Sequence, residues 1–307
     1  YDIIGSETEA SGIFALHKVP DVHLLCIPAP DPVDGLGPAT LLAATRLSRQ
    51  LRAMLVLDSP SSCRTAGDVV DHLEQLSFTN ENVIMTFPWI MGSTGTELPP
   101  APRPACGAVA GTLARGDGGR DAWTPWADAP RLLRGGARPA VAVSPMDAER
   151  LNASGVNVLR ETAAGRVLLL GERTMAGSDC AIAAYRSIRT RRLALLLEEA
   201  LRHGTRWVVF ESPGPELRDR VRAQVEQFLA GLEADGAFVS GGGYPSYFVK
   251  CDAEINPQGD GARGTLHMLV GFAAVEPGDY LIYRVSQTVE AARVVPVSMD
   301  RFRLAGG

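Results

Sequence analysis

The stretch YFVKCDAEINP, residues 247–257, concentrates reactive side chains at the end of an apolar run. Cys251 and Asp252 arrive together, followed by Glu254 and Asn256. Two chemistries suit such a set, a thiol nucleophile or a metal site. A nucleophilic thiol needs its pKa lowered by a nearby His or a helix N-terminus. The local charges, Asp252 and Glu254, act in the opposite sense. A metal held by Cys251, Asp252 and Glu254 would combine a soft thiolate with hard carboxylates, a mismatched ligand set. The remaining reading is a strand end whose Asp and Asn side chains hydrogen-bond to nearby backbone in a turn. That reading is favoured, and Cys251 is expected to be chemically silent.

Other segments echo catalytic or binding motifs. Asp58 follows an apolar strand, where a catalytic Asp of a subtilase-like triad would sit, and HGT at 203–205 resembles the His motif of the same enzymes. The context is wrong, because a subtilase His opens a helix whereas His203 closes one. Ser212, Ser240, Ser246 and Ser286 lack the nucleophile turn that a triad requires. A His at a helix C-terminus, complementing the helix dipole, is the simpler reading. VSGGGYPS at 239–246 is glycine-rich but precedes a strand, so no helix amides cradle a phosphate there. RSIRTRR at 186–192 is a solvated helix face or, more sharply, a surface docking on an acidic partner. No catalytic, cofactor-binding or metal residue is assigned, and no cofactor is expected.

The elements that position these residues follow from apolar periodicity. The chain has 307 residues, 46% of them hydrophobic, enough for a sizeable core and two domains. A net charge of −5 argues against a nucleic-acid partner. No apolar run approaches the about 20 residues of a membrane span, so no membrane insertion is expected. Five scattered cysteines form no CxxC pair; reduced, mostly buried thiols in a cytoplasmic protein are expected. The chain opens at Tyr1 rather than Met, consistent with a preceding segment.

Residues 19–30, 53–60 and 82–90 read as strands, and 39–51 and AGDVVDHLEQL as helices, the second with Asp68 near its N-terminus. Strand and helix alternate, which predicts α/β with a mainly parallel sheet. Residues 92–107 read as an exposed loop and CGAVAGTLARGD as a packed helix. The next segment is loop again, anchored by Trp123 and Trp126. VNVLRE and RVLLLGE are two strands joined by a turn at Ala164 and Gly165. In the second half, Leu193, Leu196, Leu197, Ala200 and Leu201 form one apolar helical face, with Gly204 as the stop. TRWVVFES is a strand. A second amphipathic helix turns Leu217, Val221, Val225, Phe228, Leu229 and Leu232 inward. SYFVKCD, GTLHMLVGFAAV and GDYLIYRVS are strands, so this half is α+β.

Several long segments, in one order and with familiar spacing, resemble the tail sheath protein of contractile phage tails and phage-tail-like contractile injection systems. They are GVNVLRETAAGRVLLLGERTM, YRSIRTRRLALLLEEALRHGTRWVVFES, LRDRVRAQVEQFLAGLEADGAF, YFVKCDAEINP and GFAAVEPGDYLIYRV. GIFALHKVPDVHLLCIPAP, AMLVLDSP and FPWI also resemble that family's core domain, so the resemblance covers roughly residues 12–288. It implies an α/β core, subtilisin-like but non-catalytic, at 1–175, an α+β sheath domain at 176–287, and a C-terminal arm at 288–307. It implies a non-enzymatic subunit that polymerises with itself as stacked hexameric rings around an inner tube protein, meets baseplate and terminal cap proteins, and contracts to drive the tube through an envelope. Such a subunit is assembled in the bacterial cytoplasm as part of a phage tail or tail-like particle. The competing readings are a subtilisin-like hydrolase and a non-polymerising cap or adaptor on the same fold. Inter-subunit strand pairing is expected of Leu281, Tyr283 and Val285 with Val294, Val295 and Val297. Arg186, Arg189, Arg191 and Arg192 are the candidate contacts to the inner tube. The family's N-terminal arm is not recognisable before YDIIGS.

Overall fold

The structure is a computed structural model that describes residues 3–29, 33, 35–92, 101–117, 123–128, 131–257 and 265–297. The chain divides into two compact units, residues 1–192 and 193–307. The division falls inside a helix, and the sequence-based boundary at 175 lies ahead of it. Part of the Gly/Pro-rich segment (93–100) and the last ten residues of the expected arm (298–307) lie outside the described residues.

The first unit is built on a six-stranded sheet. Its elements run β1 (Leu24–Cys26), α1 (Pro38–Leu51), β2 (Met54–Asp58), α2 (Ala66–Leu76), β3 (Val83–Phe87), β4 (Ile90–Met91), β5 (Pro102–Arg103), α3 (Cys106–Asp117), β6 (Arg131–Leu132), β7 (Arg138–Pro139), α4 (Pro145–Ala153), β8 (Val156–Glu161) and β9 (Val167–Leu170). Strands β1, β2, β3 and β8 run parallel, and β9 and β6 close the sheet antiparallel, giving the order β1-β2-β3-β8-β9-β6. The expected mainly parallel α/β arrangement is thus present. MLVLD and VIMTF are nearly continuous apolar runs because helices cover both faces of a parallel sheet, and β3 is buried at all five positions. The core joins Leu41, Ala44 and Leu47 of α1 to Leu55, Val83, Phe87, Leu151 and Val156. The short strands β5, β4 and β7 form a small second sheet; β5 and β7 fall inside segments expected to be loop, whereas Ile90 of β4 ends the stretch expected to be a strand.

Local sequence sets the helix ends. Thr65 and Asp68 form a capping box on α2, each side chain accepting a backbone N–H of the other. The α4 helix, not expected from apolar periodicity, opens with Ser144 accepting from Asp147 N and Pro145 in its first turn. Only Ala148 and Leu151 of α4 are buried, so its apolar pattern is weak while its capping signal is strong.

The helix α5 (Ile188–Gly204) carries the division between the units. Its buried positions include Leu193, Ala194, Leu195, Leu197 and Leu201, whereas Leu196 is exposed. The single face through Leu196 is thereby corrected, since the helix is buried over a wider arc.

Within the second unit follow α6 (Pro215–Ala234) and a four-stranded antiparallel sheet. Its strands are β10 (Tyr247–Lys250), β11 (Leu266–Ala273), β12 (Tyr280–Gln287) and β13 (Ala292–Val297), paired in that order. Helix α6 buries Leu217, Val221, Val225, Leu229 and Leu232 as expected, but Phe228 stays 37% exposed. Phe228 lies a turn from Val225 and beside Leu229 on the helix, so its ring falls on the margin of the stripe. The rings of Phe272 and Tyr283 stack at 5.9 Å, and Phe238 packs on Phe272 at 5.5 Å. Phe248, opposite Gly271 on the neighbouring strand, lays its ring over that glycine, where a Cβ would collide with it.

The TRWVVFES segment is not a strand. Arg206–Phe210 forms a 3-10 turn, with Val208 N bonded to Thr205 O and Glu211 N to Val208 O. The β-branched composition favoured a strand. The segment is confined between the end of α5 and Pro213-Gly214, and local i to i+3 bonds satisfy its backbone instead. It buries Val208 and leaves Phe210 89% exposed.

Candidate functional site

The turn after β10 places every group of the CDAEIN stretch. Asp252 accepts backbone N–H bonds from Glu254 (3.0 Å) and Ile255 (3.2 Å). The Asn256 side chain donates to Asp252 O (3.1 Å) and His267 O (2.8 Å) and accepts from His267 N (2.7 Å), tying the turn to β11. Lys250 pairs with Glu254 at 2.5 Å. Cys251 is buried, its thiol directed at His267 O (3.6 Å), and burial pushes its pKa up to about 11. A thiol held protonated is a poor nucleophile. The turn reading therefore describes this stretch. Among the described residues no group of three His, Cys, Asp or Glu side chains is placed to hold a metal.

Asp58 is equally well occupied. At the end of β2 it accepts from Ala105 N (2.8 Å), Cys106 N (3.2 Å) and Thr86 Oγ1 (3.2 Å). It caps the N-terminus of α3 from a neighbouring strand, a use of a carboxylate that the helix dipole favours. Burial raises its pKa. Beside it, Cys106 hydrogen-bonds to Cys26 and is buried near the Asp58 charge, so its thiol is pushed far up. The bond from Cys106 brings Cys26 down to about 7. His203 closes α5 and pairs with Glu199 at 2.7 Å. The glycines of VSGGGYPS form a tight turn in which Gly242 (φ 62°) and Gly243 (φ 78°) take the left-handed region; Tyr244 N bonds back to Gly241 O.

The four arginines of RSIRTRR are used differently from a solvated face. Arg186 donates to Gly177 O (3.2 Å) and Ser178 O (2.8 Å), and Arg189 pairs with Glu172 at 3.0 Å. Arg191 is 7% exposed, lies 4.4 Å above the Tyr185 ring and donates to Asn82 Oδ1 at 2.7 Å. Arg192 is half-buried. The solvated-face reading is thus corrected for Arg191, whose guanidinium is fully engaged inside the unit.

The candidate strand-pairing residues meet each other within one chain. Strand β13 lies along β12, with Val285 opposite Val294, Arg284 opposite Val295 and Ile282 opposite Val297. Leu281 and Tyr283 face Phe272 and Val270 of β11. Tyr283, Val285 and Val294 are buried, and Val295 is 47% exposed. The outer strands of this sheet are β10 and β13, and Pro296 sits on the latter, as a proline in a sheet must.

Sequence reasoning missed three polar organisers. Asn157, fully buried, donates to Met85 O (3.1 Å) and Arg173 O (2.7 Å) and accepts from Arg173 N (2.8 Å). Glu172, at φ 59°, takes Arg189, Ser187 Oγ (3.0 Å) and Trp126 N (3.1 Å). Gln287 ends β12 in the core. The one available signal was an Asn inside the apolar run VNVLRE, since a buried amide demands partners.

Residues 182–288 match the family model of the phage tail sheath C-terminal domain. No curated protein matches the chain. Among solved structures, it is similar to the PVC sheath complex of an extracellular contractile injection system in its contracted state. The identity is 22% and the TM-score 0.72, over 92% of this chain and 75% of that one. It is similar to a chain of the anti-feeding prophage baseplate at 24% identity and TM-score 0.68, over 87% and 68%. It is also similar to the sheath tail protein from Desulfitobacterium hafniense at 13% identity and TM-score 0.60, over 93% and 61%. The resemblance drawn from the sequence therefore stands as a resemblance: residues 182–288 are similar to the sheath C-terminal domain, and the mixed α/β fold is similar to that of sheath and baseplate chains of contractile injection systems.

Proposed function

We propose that the chain is a structural, non-enzymatic subunit of a contractile sheath. Copies polymerise as stacked hexameric rings around an inner tube, engage baseplate and cap proteins at the ends, and contract to drive the tube through a target envelope. The observation that carries this reading is the match of residues 182–288 to the sheath C-terminal domain. Strands β10, β11 and β12 fall within that range and β13 follows it, and among the described residues no further strand pairs with the outer edges of β10 and β13. Strand addition joins chains through backbone hydrogen bonds, while the linker beside the strand lets rigid bodies move.

In the assembly, residues 288–307 act as an arm after a sheath domain at 176–287. The β12–β13 pairing made within one chain is the pairing exchanged between neighbours, since a swapped element reproduces its own register. Leu281, Tyr283 and Val285 then receive Val294, Val295 and Val297 of another copy. The core at 1–175 is a subtilisin-like layer without catalysis, a reading supported by Asp58 being engaged with helix amides and a threonine. Arg186, Arg189, Arg191 and Arg192 mark the side facing the inner tube, with Arg191 bracing α5 from within. Assembly takes place in the bacterial cytoplasm, and no helix among the described residues is long and apolar enough to cross a membrane. Contraction draws on free energy stored at assembly and released as subunit interfaces improve.

Electron microscopy of the purified chain tests the reading. Striated tubes are expected; closed rings or monomers would replace it with a cap or adaptor. Deleting residues 288–307 should abolish the tubes, and unchanged tubes would remove the arm from the account. Labelling of a single serine by a serine-reactive probe would instead favour the hydrolase.

A further inference from the structure

Two of the five cysteines meet in the first unit. Cys26 is the last residue of β1 and Cys106 the first of α3, and their side chains are hydrogen-bonded. Asp58 fixes the meeting. Strand β1 runs parallel beside β2, with Cys26 level with Val56. Two residues further along β2, Asp58 accepts from Ala105 N (2.8 Å) and Cys106 N (3.2 Å), and so holds the start of α3 beside the ends of both strands.

The other three thiols are used differently. Cys63 donates to Asp68 O (3.7 Å), Cys180 to Ile182 O (3.3 Å) and Cys251 to His267 O (3.6 Å). Each of these bonds ends on a backbone carbonyl, whereas Cys26 and Cys106 end on each other.

The pair is also unequal. Cys106 is fully buried, whereas Cys26 is only half-buried and open to small solutes. The bond from Cys106 lowers the Cys26 pKa to about 7, while the bond to Cys26, burial and the Asp58 charge keep Cys106 protonated. An accessible thiolate beside a shielded thiol is the arrangement of an attacking and a resolving cysteine.

We propose that Cys26 and Cys106 form a reversible oxidation site, which closes to a disulfide when the chain meets a hydroperoxide. The Cys26 sulfur attacks one peroxide oxygen. An S–O bond forms, the O–O bond breaks, and the departing oxygen takes a proton and leaves as water. The Cys106 sulfur then attacks the Cys26 sulfur. The S–S bond forms, the S–O bond breaks, and hydroxide leaves with the Cys106 proton as a second water. The two thiols lose two electrons and two protons, and hydrogen peroxide is reduced to two waters. The bridge ties the outer strand β1 to α3 and closes a long loop that holds α1, β2, α2 and β3. A cross-link over a long loop removes freedom from the unfolded chain. The pair works whether or not the chain builds a sheath.

Hydrogen peroxide added to the full chain, followed by iodoacetamide and peptide mass spectrometry without reduction, tests it. One dominant linked pair is expected, Cys26 with Cys106, two hydrogens lighter than the separate peptides and reversed by dithiothreitol. In urea the same link should form about tenfold more slowly or less, because the fold no longer holds the sulfurs together. The bridged chain should also need more urea to unfold than the reduced one. Cys106→Ser should abolish the link and leave Cys26 as a sulfenic acid that dimedone labels. Over-oxidation of Cys26 without a bridge, a dominant link to another cysteine, equal rates in the folded and urea-unfolded chain, or a urea midpoint that does not rise would overturn the proposal.

Discussion

The two main sheets, each open at both edges, use their polar groups differently. In the six-stranded sheet, polar side chains turn inward to complete the unit: Asp58 caps α3, Asn157 ties β8 to β3, and Glu172 gathers the arginine segment. Its buried strands have neighbours and helices on both faces. The four-stranded sheet keeps Arg284 and Val295 outward, and its end strands β10 and β13, like β1 and β6 of the first sheet, have no further strand beside them among the described residues. The second joins an aromatic stack of Phe238, Phe272 and Tyr283 to a local polar turn, in which Asn256 ties residues 251–256 to β11.

The sharpest way to break this comparison uses the thiols, one in each region. The ordinary thiol value is 9.0; Cys26 is lowered to about 7 and Cys251 raised to about 11. The thiolate is the reactive form, so reactivity rises as pH climbs through each value. At pH 8 Cys26 is therefore the more ionised of the two thiols. Iodoacetamide should modify Cys26 well ahead of the buried Cys251, followed by mass spectrometry, and Cys106→Ala should slow Cys26 by removing its neighbouring thiol. Equal labelling of the two would sink the contrast.

Next in size, Tyr283→Ala removes the fully buried ring stacked on Phe272 and should cost about 4 kcal/mol in urea denaturation. A loss below about 1 kcal/mol would mean that the stack does not hold the sheet. Asn157→Leu keeps the volume but strands two carbonyls and an amide, and should cost about 3 kcal/mol. If it proved neutral, the polar completion of the first sheet would be dispensable. Smallest is Cys251→Ser, whose hydroxyl can keep the contact to His267 O; a change below about 1 kcal/mol and intact assembly are expected. Loss of assembly would give that turn a role beyond folding.

Legibility in the sequence followed the kind of signal. The apolar runs of β2, β3, β11 and β12 and the capped helix α2 announced themselves, because periodicity and caps are local. The turn around Asp252 was legible for the same reason: the bonds made by Asp252 itself reach only two to four residues along the chain, whereas the tie from Asn256 to His267 was not foreseen. Arg191 was not, since its partners Asn82 and Tyr185 are chosen by the fold. The 3-10 turn at 206–210 misled because strand-favouring residues express that preference only beside another strand. Phe228 misled because a helical stripe has margins that periodicity does not resolve. Helix α4 was missed because it turns only Ala148 and Leu151 into the core, leaving its capping residues as the signal.

Pro296, exposed on β13, has a consequence for the open edge of that sheet. A β edge that welcomes one neighbour can welcome the next without end, the route to amyloid. Proline lacks a backbone N–H, so a ladder built along β13 loses a rung at that position. The same residue permits pairing with β12 on one side and spoils open-ended growth on the other. It acts as a gatekeeper against fibrils at that edge.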